Sequence, residues 1–192
     1  MRALLHGGFK NLTAPQRKTA WAEFFSEIGR VNPAFALFLP WALPANSHDK
    51  AYGSFTKRAK SCWDFNFQSQ LILTSAELSD ALKNLPQNAT ILIYLPGGIL
   101  VENCVAEMQG FSESDFPPQT VFAGFSAGAY ALTDYYFNPR KKQIVSGGGL
   151  FKGCVCCHAD TQRLAQMALS IKEKHRPVFS LQDGAFCYVS TL

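Results

Sequence analysis

A serine between two glycines is the residue whose type and setting most directly predict chemistry. Residues 124–129 read Gly-Phe-Ser-Ala-Gly-Ala, after an apolar segment that predicts a strand and before a segment that predicts a helix. At such a turn the serine is lifted above the edge of the sheet, and the glycines remove side chains that would clash. The first helical N–H groups, beginning with that of Ala127, would point at an oxyanion beside Ser126. We therefore predict a nucleophile at Ser126, with a plain Gly/Ser/Ala turn as the alternative.

A nucleophilic serine needs a base, and the sequence offers four histidines. His158 follows an apolar strand candidate, so it would emerge at the end of a strand as Ser126 does. His175 is predicted at a helix C-terminus, where the dipole stabilises a solvated imidazolium. His48 is expected in a polar loop, and His6 ends the first predicted strand. Placement alone therefore favours His158 as the base.

Alternating strands and helices predict the elements that must position these residues. Such alternation, with helices of ten or more residues, indicates an α/β fold with a mostly parallel sheet covered on both faces. We expect one domain over residues 1–192. The predicted strands are 2–5, 36–39, 71–73, 91–95, 121–124, 153–157, 177–181 and 186–189, and the predicted helices are 15–28, 75–84 and 161–174, with another after Ser126.

Three segments together resemble the S51 serine peptidases, a family that includes aspartyl dipeptidase and cyanophycinase. They are Pro-Gly-Gly at 96–98, Gly-Phe-Ser-Ala-Gly-Ala at 124–129, and Cys-His-Ala-Asp at 157–160 after a Gly-Leu-x-x-Gly stretch. The resemblance covers most of the chain. It implies a three-layer α/β sandwich with a mostly parallel central sheet, similar to the class I glutamine amidotransferases.

The resemblance also implies roles for single residues. Its nucleophile motif falls on Ser126, and its histidine falls on His158. A short acidic segment, Gln-Asp-Gly, makes Asp183 the carboxylate that would orient the imidazole. The double glycine supplies a second oxyanion-hole amide, that of Gly98, beside the amide of Ala127. The implied reaction is hydrolysis of short peptides next to an acidic residue, with no cofactor.

The choice of carboxylate can also be argued from spacing. Asp134 is the competitor of Asp183, but it is predicted about two turns into the helix that follows Ser126. Eight residues of helix span ~12 Å, so its carboxylate would project well below the turn. An acidic substrate would call for an arginine. Arg163, one turn into the helix after His158, and Arg140, at the end of the helix after Ser126, are the candidates.

Other functional classes remain open at this stage. The family usually carries Asn-Thr after the double glycine, whereas this chain has Ile99 and Leu100, so a non-catalytic binding protein with the same fold is one alternative. The segment 6–9, His-Gly-Gly-Phe, resembles the oxyanion segment of α/β-hydrolase esterases. That reading would need Asp160 and His175 as partners of the serine, and both fall on one predicted helix. It is therefore the less favoured enzyme class.

The Cys154-Val-Cys156-Cys157-His158 run contains candidate metal ligands, because thiolates and imidazoles bind zinc. Alternation on a strand would send Cys154 and Cys156 to one face and Cys157 to the other, and no second Cys/His cluster exists. We predict buried core cysteines, no metal and no organic cofactor. A cysteine-dependent amidotransferase would need cysteine in place of Ser126.

The composition limits the classes of partner. With 47% hydrophobic, 13% aromatic and 17% charged residues, the chain is not intrinsically disordered. A net charge of +4 is too small for a dedicated nucleic-acid surface, so the predicted partner is a small peptide substrate. No signal-peptide core and no membrane-length apolar run is present. The six cysteines are therefore expected to be reduced thiols in a cytoplasmic protein, and a homodimer is compatible with the sequence.

Overall fold

A computed structural model describes residues 1–191 and has ten strands and six α-helices in that range. The strands are β1 (Arg2–His6), β2 (Phe35–Phe38), β3 (Gln68–Leu71), β4 (Ile91–Leu95), β5 (Thr120–Phe125), β6 (Thr133–Asn138), β7 (Gln143–Ser146), β8 (Phe151–Cys157), β9 (Val178–Leu181) and β10 (Phe186–Ser190). The helices are α1 (Ala14–Gly29), α2 (His48–Cys62), α3 (Ser75–Asn84), α4 (Val101–Met108), α5 (Ala127–Leu132) and α6 (Thr161–Ala168).

Six strands form the larger sheet, in the order β10-β1-β5-β4-β2-β3. All neighbours in it are parallel except β1 and β10, which pair antiparallel. The central strands β4 and β5 are buried along their whole length, as continuous apolar runs in a parallel sheet require. Because β1, β5 and β4 are adjacent and parallel, the segments that leave their carboxyl ends lie side by side at one edge.

Four strands form a second, smaller sheet in the order β7-β6-β8-β9. The strands β6, β8 and β9 are parallel, and β7 pairs antiparallel with β6. The strand β8 ends at Cys157, so the next residue leaves the carboxyl edge of this sheet. The serine and the histidine singled out in the sequence therefore follow strands of two different sheets.

Buried side chains form clusters on both faces of the larger sheet. On one face, helices α1 and α2 bury an aromatic cluster that includes Phe24, Phe55 and Phe125. On the other face, α3, α4, α5 and the smaller sheet bury a second cluster around Phe122 and Phe151. The fold is thus a three-layer α/β sandwich, as predicted, although it contains two mostly parallel sheets instead of one.

The segment after Ser126 differs from the prediction. Helix α5 ends at Leu132, and residues 133–138 form β6, because their β-branched and aromatic side chains suit a strand that pairs with β8. Asp134 therefore lies in a strand and not two turns into a helix. Arg140 follows β6 and does not end the helix after Ser126, which corrects its predicted position.

Three further local predictions were wrong, and one strand was missed. His48 begins helix α2 instead of lying in a loop. The sequence did not predict this helix because it buries only Phe55 and Ala59, so its apolar pattern is weak. The third strand is 68–71 and not 71–73. Helix α6 stops at Ala168 and not at residue 174, and His175 lies in a separate short 3-10 turn. The strand β7 was not predicted.

The cysteines of β8 pack on the two faces that alternation predicts. Cys154 and Cys156 lie in a third cluster with Met167 of α6, and Cys157 lies in the cluster of Phe122. Burial raises the pKa of the Cys154 thiol to about 12. Within residues 1–191, no group of three or more His, Cys, Asp and Glu side chains could hold a metal ion. No helix of that range is long and apolar enough to cross a bilayer.

Candidate active site

Ser126 lies at a sharp turn between β5 and α5. Its backbone has φ 50° and ψ −103°, a conformation that is strained for a residue with a side chain. The surrounding structure holds this conformation, since the Ser126 N–H donates a hydrogen bond to the carbonyl of His6 at 2.9 Å. The turn leaves Ser126 half-buried while its neighbours Phe125 and Ala127 are buried. The hydroxyl is therefore presented at the carboxyl edge of the larger sheet.

Helix α5 packs so closely on the larger sheet that position 128, two residues after Ser126, requires glycine. A Cβ on Gly128 would lie 2.1 Å from the carbonyl oxygen of Leu95 at the end of β4. A Cβ on Gly124 would lie 2.7 Å from Leu132 Cδ1 and 2.9 Å from the backbone nitrogen of Ala129. Both glycines of the sequence pattern thus have a steric role in placing Ser126.

His158 lies within hydrogen-bond distance of the serine. The distance from Ser126 Oγ to His158 Nε2 is 3.0 Å. The backbone of His158 also has a positive φ, 52°, and its N–H donates to the carbonyl of Gly7 at 3.0 Å. Gly8, with φ 104°, packs directly under the imidazole, because a Cβ there would lie 2.1 Å from His158 Cε1. The segment after β1 therefore supports the ring from below.

Asp183 completes a chain of three side chains. Its Oδ1 lies 2.6 Å from His158 Nδ1, and its two oxygens accept hydrogen bonds from the N–H groups of Lys10 and Asn11 at 3.0 and 2.9 Å. Burial raises the pKa of Asp183, but the hydrogen bonds from His158, Asn11 and Lys10 outweigh burial and hold the pKa below its usual value. An ionised Asp183 favours the tautomer with hydrogen on Nδ1, which leaves Nε2 free to accept a proton from Ser126.

The loop after β4 lies against the serine. A Cβ on Gly97 would lie 3.2 Å from Ser126 Cβ, and Gly98 follows it. Gly98 packs on the carbonyl of Ala42, where a Cβ would lie 1.9 Å from the oxygen. Ala127 is the first residue of α5, so its N–H has no partner within the helix.

The two predicted substrate arginines lie in different surroundings. Arg163 is half-buried; it donates a hydrogen bond to the carbonyl of Cys157 at 2.9 Å, and its Nε lies 3.9 Å from an oxygen of Asp160. Its guanidinium thus braces the segment that leads into His158. Arg140 is exposed after β6, with its N–H bonded to the side chain of Asn138 at 3.0 Å.

The residues required by the esterase reading are not brought together. His175 accepts a hydrogen bond from the N–H of Lys172 at 3.0 Å and packs on Tyr135 at 4.7 Å between ring centroids. Asp160 caps α6 through the N–H of Arg163 at 2.8 Å. The histidine that contacts the serine is instead His158.

Supporting groups of the site were missed by the sequence reasoning. The N–H groups of Lys10 and Asn11, which bind Asp183, carry no side-chain signal. His6 is fully buried, and its Nδ1 accepts the N–H of Gly8 at 2.9 Å, which fixes the segment under His158. Burial lowers the pKa of His6 to about 4, although the charge of Asp183 opposes the shift. Only its place at the end of an apolar strand could have marked it as a buried histidine.

Comparison with known proteins finds similarity in structure. No family model and no curated protein sequence matches the chain. A solved structure described as the crystal structure of a peptidase from an acI-B1 Actinobacterium matches with a TM-score of 0.65 and 16% identity, covering 98% of this chain and 82% of that chain. At this identity the match supports the fold.

Proposed function

We propose that this protein is a serine peptidase-like hydrolase that cleaves short peptides, similar to the S51 peptidases. The observation that carries the proposal is the hydrogen-bonded chain from Ser126 Oγ through His158 to Asp183, on a strained turn between a strand and a helix. A purely structural network rarely needs a serine hydroxyl on a strained turn, whereas a nucleophile does. The structural similarity to a protein described as a peptidase adds support.

In the proposed mechanism Ser126 Oγ attacks the peptide carbonyl carbon while His158 Nε2 takes its proton. The N–H groups of Gly98 and Ala127 would bind the oxyanion of the tetrahedral intermediate. The negative charge of Asp183 stabilises the imidazolium, which then protonates the leaving amine. Water hydrolyses the acyl-enzyme by the same steps, with His158 acting first as base and then as acid.

The family resemblance implies an acidic residue beside the scissile bond, and Arg163 and Arg140 are the candidates to bind its carboxylate. Because Arg163 already donates to Cys157 and lies near Asp160, a substrate carboxylate would have to share its remaining donors. Peptides with Asp, Asn, Leu or Lys at this position, tested on the wild type and on Arg163→Leu, measure the preference. An arginine that binds substrate predicts a preference for Asp that the substitution removes.

Labelling with a fluorophosphonate tests the proposal directly, because only an activated serine reacts at an appreciable rate. We expect one label per chain on the wild type, located on Ser126 by mass spectrometry, and no label on Ser126→Ala. Ser61→Ala, which removes an exposed hydroxyl of α2, is the matched control and should label like the wild type. A wild type that folds but does not label would favour the non-catalytic binding protein.

A further inference from the structure

An apolar cavity of about 230 Å³ adjoins the turn that carries Ser126. It lies on the face of the larger sheet that α1 and α2 cover. Its walls are mainly aromatic, and they include Trp21, Phe38, Phe55, Tyr94 and Phe125. The function proposed above assigns no role to this cavity.

The cavity is connected to the nucleophile through two of its own lining residues. Phe125 immediately precedes Ser126, and Gly97 lies against Ser126 Cβ. In the larger sheet, β5 lies between β1 and β4. The segment after β1 supports His158, whereas the segment after β4 lines the cavity. The cavity therefore adjoins Ser126 from the side of β4, whereas His158 contacts Ser126 from the side of β1.

The walls are suited to an uncharged side chain. Burial raises the pKa of Tyr94 far above its usual value despite the nearby charge of Arg58, so its phenol stays neutral. Trp21 stacks on Phe125 at 5.0 Å between ring centroids. The guanidinium of Arg58 lies 4.5 Å from the centroid of the Trp21 ring. This exposed cation at the rim would repel a lysine or arginine side chain.

The size of the cavity limits what can occupy it. Drug-sized ligands occupy about 300–1,000 Å³, so 230 Å³ is suited to a single side chain. Four larger cavities, of about 810, 700, 470 and 450 Å³, are lined by neither Ser126 nor Gly97 nor Phe125. Beside the loop, Ile99 is 68% exposed and adds apolar surface next to Gly98.

We propose that this cavity binds the aromatic or large aliphatic side chain of a substrate residue adjacent to the scissile bond, on the opposite side of that bond from the acidic residue considered above. The inference rests on the proposed function, because it takes Ser126 as the nucleophile. It assigns a specificity role to α1 and α2, whose residues Trp21, Ala51 and Phe55 line the cavity. An apolar pocket discriminates through the methylene groups that it buries, at about 10- to 200-fold for each.

A peptide panel with Phe, Leu, Ala, Asp or Lys on either side of the scissile bond measures the preference of the wild type. We expect kcat/KM at one of the two positions to be at least about 10-fold higher for Phe and Leu than for Ala, and lowest for Lys. Ala51→Leu adds bulk inside the cavity and should lower the Phe-to-Ala ratio about 10-fold or more. Ala22→Leu, the same change on the exposed face of α1, is the matched control and should leave the ratio unchanged.

Binding in a Ser126→Ala background separates this inference from the proposed function. N-acetyl-phenylalanine amide should shift the NMR signals of cavity residues, N-acetyl-alanine amide should not, and Ala51→Leu should remove the shifts. If Ala51→Leu does not fold, the comparison of the two probes decides alone. Peptide cleavage without side-chain preference, and without probe binding, would overturn the cavity proposal and leave the hydrolase standing. Probe binding at the cavity in a protein that neither labels nor cleaves would overturn the hydrolase and leave the cavity.

Discussion

Asp183 is bound from three sides, and this makes its role at the residue scale testable. Besides His158, two backbone N–H groups donate to its oxygens, and together these bonds hold its pKa below the usual value despite burial. A carboxylate held in this way stays ionised at neutral pH and fixes the imidazole tautomer. Its negative charge, more than its shape, is therefore what the proposed chemistry would use.

Asp183→Asn should lower kcat by about 10²- to 10⁴-fold, because an amide that donates to Nδ1 turns Nε2 into a donor. Hydrolysis rates measured at saturating peptide check the expectation. Asp160→Asn is the matched control, since asparagine also caps a helix and Asp160 caps α6. Equal losses in the two variants would show that Asp183 does not orient His158.

The three residues of the proposed triad differ in how far the sequence could predict them. Ser126 and its glycines form a local pattern, since Gly124 and Gly128 are required by the contact of α5 with β4 and β5. The position of His158 after an apolar strand candidate predicts its role as the base. Asp183 needed a family resemblance, because its partners Lys10 and Asn11 contribute only backbone N–H groups more than 170 residues earlier.

At the scale of the elements, the close packing of α5 on the larger sheet fixes the position of Ser126. Gly128→Ala would place a methyl group 2.1 Å from the Leu95 carbonyl oxygen, so α5 must move away from β4. We expect the free energy of unfolding to fall by about 1–3 kcal/mol. Fluorophosphonate labelling should slow as well, because the shift displaces Ser126. Denaturant unfolding and labelling rates measure the two effects.

Gly53→Ala provides the control for this prediction. Gly53 lies within helix α2, and nothing lies within 4 Å of a Cβ built on it. Alanine there should raise the free energy of unfolding by about 0.5–1 kcal/mol through helix propensity. Opposite signs for the two substitutions are the expected result, and destabilisation by both would contradict the steric argument.

The elements that the sequence failed to predict depend on long-range contacts. Residues 133–138 pair with β8 as a strand, and the sequence of this segment alone does not identify β8 as its partner. Helix α2 carries many polar residues and buries only Phe55 and Ala59. Its apolar positions are therefore too few to show helical periodicity in the sequence. The cavity wall was missed for the same reason: it joins α1, α2 and three strands, β2, β4 and β5.

At the scale of the whole molecule, buried His6 links stability to pH. Its pKa is about 4 in the folded protein and 6.5 in the unfolded chain, so only the unfolded chain takes up a proton between these values. Stability is therefore complete above pH 6.5, falls as the pH drops to 4, and loses roughly 3 kcal/mol from this residue. Asp183, with its pKa lowered, adds a further loss below its unfolded value of 3.8.

His6→Asn tests the linkage, because asparagine can still accept the N–H of Gly8 but does not titrate. The variant should be less stable than the wild type at pH 7, since a small side chain replaces a ring stacked on Phe125 at 4.5 Å. The measurement that matters is the slope of the unfolding free energy between pH 6.5 and 4. A variant with the wild-type slope would show that His6 is not the titrating group.

The order in which the chain is made has a consequence for the proposed triad. Ser126 is synthesised before His158 and Asp183, which both belong to the last fifth of the sequence. Asp183 must then reach back to Lys10 and Asn11, while β10 closes onto β1. A growing chain on the ribosome therefore carries its serine hydroxyl for some time without the base and the carboxylate that would activate it. Reactivity towards peptides would begin only when Asp183 has reached the segment of Lys10 and Asn11.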